Sequence, residues 1–194
     1  MTSQRHTNRV DDDLLLDAAR ACVLTIGVSR TTLTEVARRA EVSRMTLYRR
    51  FPDVRSLIAA LMTREFGGLL TTTPVDAPTA RERLVRTVIA GIRALTENPI
   101  MRGILDTEPE LLLPYIVQRL GSTQRFAEEY LREEVKAGHA DGSIRAGDVP
   151  TQARALLLVL QSFVLSLRPA SSDVDSEDLL AELAGLLDRA LEVR

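Results

Sequence analysis

Between positions 44 and 50 the chain sets three arginines, Arg44, Arg49 and Arg50, around Thr46 and Tyr48. A guanidinium presents a planar fork of N–H donors that matches guanine O6 and N7 or two phosphate oxygens, and hydroxyls can bond to either. Standing alone, such a group is ordinarily a solvated helix face, so its meaning depends on the element that carries it. A second group, Glu128, Glu129, Glu133 and Glu134, could serve as general acids or metal ligands. Its spacing is that of an exposed helix face, and the two histidines, His6 and His139, form no Glu-x-x-His or His-x-x-x-His pair. There is no Gly-rich phosphate loop, and the single cysteine, Cys22, has no evident base. A small helical enzyme is therefore the weaker alternative, and neither a metal nor a cofactor is expected.

The elements that must position the arginines are helices. Apolar residues recur at helical spacing throughout, with no alternating β-branched run, which predicts an all-α fold. A first helix is expected over 10–25, with Asp11, Asp12 and Asp13 near its positive dipole end and Gly27 beyond its C-terminus. Its buried stripe is Leu15, Ala18, Ala19, Cys22, Val23 and Ile26. Thr32 and Glu35 have capping-box spacing, in which the hydroxyl takes one amide and the carboxylate returns to the other. A short helix over 33–40 follows. Ser43 caps another over 44–51, interrupted by Pro52 and Asp53. Two short helices joined so tightly, with small Ala37 at the crossing and Val36, Val42, Leu47 and Phe51 as a shared core, make a helix-turn-helix.

Further helices are expected over 55–70, 79–96, 100–106, 110–120, 123–137, 150–167 and 176–193, punctuated by prolines and glycines. The expected division is a three-helix DNA-binding domain over 1–55 and a C-terminal helical domain over 56–194. The last two helices carry wide apolar stripes, including Leu156, Leu160, Val164 and Leu167 on one and Leu180, Leu183, Leu187 and Leu191 on the other. These could form a four-helix bundle with a second copy, giving a homodimer, or serve only the chain's own core.

Residues 1–55 hold ten arginines against seven carboxylates, while the remainder carries fifteen basic and twenty acidic residues. A basic N-terminal module on an acidic body fits a nucleic-acid partner for the module alone. No run of 18 apolar residues and no signal-peptide pattern occurs, so the expectation is a cytoplasmic protein without a membrane partner. Arg5, His6 and Arg9 form a polar arm that could enter a minor groove or fray.

Thr32, Val36-Ala37, Ala40, Val42-Ser43, Thr46-Leu47-Tyr48 and Phe51 keep the spacing of the DNA-binding signature of the tetracycline-repressor (TetR) family, which the segment resembles. Glu41 stands where that family usually has glycine, and Val54 where it commonly has a phosphate-binding lysine. The resemblance implies a ligand-responsive regulator, a repressor released from double-stranded operator DNA by a small molecule, with a C-terminal body for effector binding and dimerisation. The resemblance assigns the helix starting at Arg44 to the major groove. Helical phase turns Met45 and Arg49 outward, with Arg44, Thr46, Tyr48 and Arg50 on the flanks. Arg44 and Arg49 are then candidates for guanine edges, and Met45 and Thr46 for a thymine methyl or for shape. By resemblance, Tyr48 meets a phosphate, Arg50 lies close to the DNA backbone, and Thr32 and Thr34 reach phosphate at the start of the preceding helix; Ser43 joins this set. Met62, Phe66, Met101, Leu105, Tyr115, Phe126, Tyr130 and Phe163 could line a pocket for an apolar effector or be ordinary core. A further alternative is an interaction protein that keeps the helix-turn-helix shape without using DNA.

Overall fold

In a computed structural model the backbone is described for residues 3–71 and 76–193, and the side chains for 12–68 and 76–193. The arm residues Arg5, His6 and Arg9 lie outside the described side chains. Among the described residues all regular structure is helical: α1 (Ser3–Ile26), α2 (Leu33–Arg39), α3 (Arg44–Arg50), α4 (Val54–Thr71), α5 (Ala80–Glu97), α6 (Pro99–Thr107), α7 (Leu113–Val117), α8 (Ser122–Ala140), α9 (Val149–Ala170) and α10 (Ser176–Leu191). A 3-10 turn, Pro109–Leu112, precedes α7, so the helix expected over 110–120 is instead two short pieces, with Pro114 inside the first turn of the second. Pro169 does not end α9, whose last turn includes it, and α8 runs through His139, beyond the end expected at 137.

The chain divides into two compact units: Met1–Glu65 with Pro99–Ser122, and Phe66–Asn98 with Thr123–Arg194. This replaces the expected division at residue 55. The reason lies in the core of the first unit, where Leu15, Ala19, Cys22, Val36, Ala37, Leu47, Leu57 and Leu61 are buried together with Ile100 and Ile104 of α6. A helix of nine residues so far along the chain gives no local sign of the surface it will cover.

Two local expectations are corrected in this unit. Helix α1 begins at Ser3, so Asp12 and Asp13 lie inside it rather than at its dipole end. The capping box is half made: the Glu35 amide donates to Thr32 Oγ1 at 3.2 Å, but the Glu35 carboxylate turns to Arg38. The Arg38 guanidinium keeps that carboxyl below the usual glutamate range.

At the end of α1, Gly27 has φ +83°, and a Cβ there would lie 2.8 Å from Glu108 Oε1. Glycine serves both the left-handed backbone and the close approach. Glu108 accepts hydrogen bonds from the amide and the hydroxyl of Ser29, fastening the turn before α2 to the end of α6.

Glu41, between α2 and α3, adopts φ +55°, a left-handed conformation that accords with the glycine usual at this position in the family the segment resembles. A Cβ is strained there, so Glu41→Gly is expected to raise stability by about 1 kcal/mol. Thermal unfolding of the two proteins checks this, and a lower midpoint for the variant would refute the strain argument.

In the second unit α5 packs against both α9 and α10. Leu156, Leu160, Val164 and Leu167 of α9 and Leu180, Leu183, Leu187 and Leu191 of α10 are all buried within the single chain. The stripes named for a dimer interface are therefore intrachain core. Leu158 and Leu186 face outward instead, each about half exposed. By length and mean hydropathy α9 could cross a bilayer. It carries Arg154 and Arg168, however, and its apolar stripe is buried among its neighbours.

Glu128 is not on a solvated face. It is buried on α8 and takes Arg154 of α9 and Arg132 of its own helix, with Arg154 Nη2 at 2.7 Å and 2.9 Å from its two oxygens. The Arg154 hydrogen bonds, with Arg132 adding to them, hold its carboxyl below the usual glutamate range despite burial. A depressed carboxyl contributes stability above its unfolded pKa, about 4.3, and loses it as pH falls through the lower folded value. Glu128→Gln is expected to cost about 2 kcal/mol at neutral pH and to flatten the acid limb of the stability profile below about pH 4. Urea titrations from neutral to acid pH read both effects; parallel profiles for parent and variant would remove the assignment.

Candidate nucleic-acid interface

Helix α3 is seven residues long, too short to stand without tertiary support. Its N-terminus is held by Ser43, whose Oγ accepts from the Thr46 amide at 3.1 Å and shares a hydrogen bond with Thr46 Oγ1 at 2.8 Å. Its centre is held by Leu47, the one residue of α3 that is buried. The turn that delivers it is closed by the Val42 amide on the Ala37 carbonyl at 3.1 Å. Of these restraints, Leu47 acts on the inner side.

The outer side is open. Met45 is 78% exposed and Tyr48 49%, and Arg44 and Arg49 are exposed with no ion-pair partner among the described residues. Thr32 is exposed at the N-cap of α2, and Thr34 is half-buried in its first turn. Helical phase thus reads correctly from Leu47: the positions opposite it face solvent, and two unpaired guanidinium forks stand on that face. Such a surface can donate to base edges or phosphates.

Arg50 differs from its neighbours. Its Nε and Nη2 engage both carboxylate oxygens of Asp12 on α1. Sequence reading grouped Arg50 with the other arginines and treated Asp12 as a dipole partner; no local signal joins residues 38 positions apart. Exposed Arg30 and Arg39 of the first unit were not singled out either.

The eight residues named for an effector pocket divide between the units. Met62, Met101, Leu105 and Tyr115 belong to the first, where Arg119 lies over the Tyr115 ring at 5.7 Å; Phe66, Phe126, Tyr130 and Phe163 belong to the second. Burial raises the Tyr130 hydroxyl above the usual phenol range, partly offset by its hydrogen bond with Thr87. A cleft of about 90 Å³ in the first unit is lined by Val23, Val28, Ile100, Ile104 and others of α1 and α6, and by none of the eight. No three His, Cys, Asp or Glu side chains gather as a metal site among the described residues.

A family model described as bacterial regulatory proteins, tetR family, matches residues 15–61. An HTH-type transcriptional regulator of Mycobacterium bovis is 37% identical over 174 residues, 90% of this chain and 90% of its own length. One from Mycobacterium tuberculosis has the same identity and coverage. Among solved structures, the TetR family repressor AlkX from Dietzia, implicated in biodegradation of n-alkanes, superposes with a TM-score of 0.67 at 19% identity, over 91% of this chain and 92% of that one. The transcriptional regulator FadR from Bacillus subtilis, in complex with stearoyl-CoA, superposes with a TM-score of 0.64 at 16% identity, over 92% and 98%. At these identities the likeness is one of fold.

Proposed function

Because the chain belongs to the tetR family of bacterial regulatory proteins and is a DNA-binding transcriptional regulator, we propose that it acts as a homodimeric repressor whose α3 helices read two operator half-sites. The observation that carries this reading is the outer face of α3, where Arg44 and Arg49 are exposed, with no ion-pair partner among the described residues, beside Met45, Thr46 and Tyr48. Arg44 and Arg49 donate to guanine edges; Met45 and Thr46 exclude or accept bases by shape; Tyr48, Thr32, Thr34 and Ser43 set the register on phosphate. On α9 and α10, outward-facing Leu158 and Leu186 are apolar residues exposed to a second copy.

An apolar small molecule is the proposed effector. The long-chain acyl ligand of the FadR structure and the alkane association of AlkX support an apolar class, and Phe66, Tyr130 and Phe163 of the second unit supply side chains of that kind. A ligand can release DNA only by preferring one spacing of the two reading helices over the other. No catalytic role is assigned, and the protein is placed in the cytoplasm, where its DNA lies.

Selection of bound fragments from a random duplex library tests the reading. The expected product is a two-fold symmetric site with half-sites about 34 Å apart, one helical turn. Absence of any preference among duplexes at low ionic strength would overturn it.

A further inference from the structure

Helix α1 carries a row of acidic residues that meet arginines of later helices. Asp17 pairs with Arg64 of α4 at 2.8 Å, the Asp13 carbonyl accepts from the same guanidinium at 3.1 Å, and Asp12 takes Arg50, the last residue of α3. Arg20 of α1 completes the row by pairing with Glu65 of α4 at 3.3 Å. The polar face of α1 is thus braced to the two helices that follow the turn.

The Asp12–Arg50 pair sits at the C-terminal end of α3, beside the point where Phe51 packs against the core. The N-terminal end of α3 is fixed by the Ser43 cap and its centre by Leu47, whereas its last turn ends in half-buried Phe51, which leads to Pro52. Both partners are about one-third exposed, and the side of the guanidinium faces both carboxylate oxygens, a fork that sets direction as well as distance.

We propose that Asp12 is a positioning residue for DNA binding: by holding Arg50 it sets the angle of α3 against α1 and removes Arg50 from the cations that meet phosphate. The pair persists on DNA. Arg44 and Arg49 at the outer face do the contacting, while Arg50, which the family resemblance put near the DNA backbone, acts inward. This rests on the DNA-facing reading of α3.

Operator affinity of the full chain, measured by fluorescence anisotropy across a range of salt on the selected duplex, separates positioning from contact. Asp12→Asn is expected to weaken binding about five-fold at every salt concentration, with the slope of log affinity against log salt unchanged. Arg50→Gln is expected to lose the same factor, and the double variant no more than either single one. The exchanged pair, Asp12→Arg with Arg50→Asp, is expected to recover most of the loss, which loss of folding would not allow. Tighter binding by Asp12→Asn with a slope steeper by about one would show that freed Arg50 meets phosphate, and overturns the proposal. Unchanged affinity overturns it as well. A parent chain that selects no duplex would defeat the DNA-facing reading itself, whereas a selecting parent with an indifferent Asp12→Asn removes only the role of Asp12.

Discussion

Leu47→Ala is expected to destabilise the first unit by about 3 kcal/mol and to abolish operator binding at temperatures where the parent still binds. Leu47 is fully inaccessible and shares its core with Val36, Ala37 and Leu57. It is the only buried residue of a seven-residue helix, so truncation removes transfer energy and leaves a cavity at the one point where α3 is held from beneath. The neighbours cannot easily collapse into that space, because Ala37 is already small and α2 is anchored by its own cap at Thr32. Urea unfolding compares the two proteins. A loss below about 0.5 kcal/mol would mean that α3 is held mainly by its ends.

Arg44→Ala with Arg49→Ala is expected to lower affinity for the selected operator by at least about 100-fold while leaving stability within about 0.5 kcal/mol of the parent. Both side chains are exposed and bond to nothing described in the free protein, so their removal costs no native contact. A guanidinium fork on guanine is worth about 1 to 3 kcal/mol of base discrimination, so the loss must fall more heavily on the selected operator than on random duplex. Competition binding against both duplexes reads the difference. An equal loss on both would make these arginines phosphate contacts and leave base reading to Met45 and Thr46.

The two predictions use different kinds of information. That Leu47 is inside and that Arg49 and Met45 are outside follows from helical phase, and the structure agrees. The Ser43 and Thr32 caps and the break at Pro52 were equally legible, because each depends on interactions within about four residues, whereas the left-handed Glu41 was signalled only by the glycine usual at that position in the family the segment resembles. Arg50 shows where such reasoning stops. Its type and position match those of its neighbours, yet a carboxylate on another helix claims it. Glu128 was misread the same way: acidic residues at helical spacing look identical for a solvated face and for a buried carboxylate that finds Arg154.

From its residues alone this chain declares a helical composition and a helix-turn-helix over 32–51, since periodicity, capping and turn chemistry are local and survive in one dimension, while the family came from the resemblance of that segment to a known signature. Tertiary structure decided that α6 completes the core of the first unit, that the leucine stripes of α9 and α10 turn inward, and that Asp12 takes Arg50. An apolar stripe or a charge states what a surface needs but not which distant surface will supply it, and that choice is made only when the helices pack.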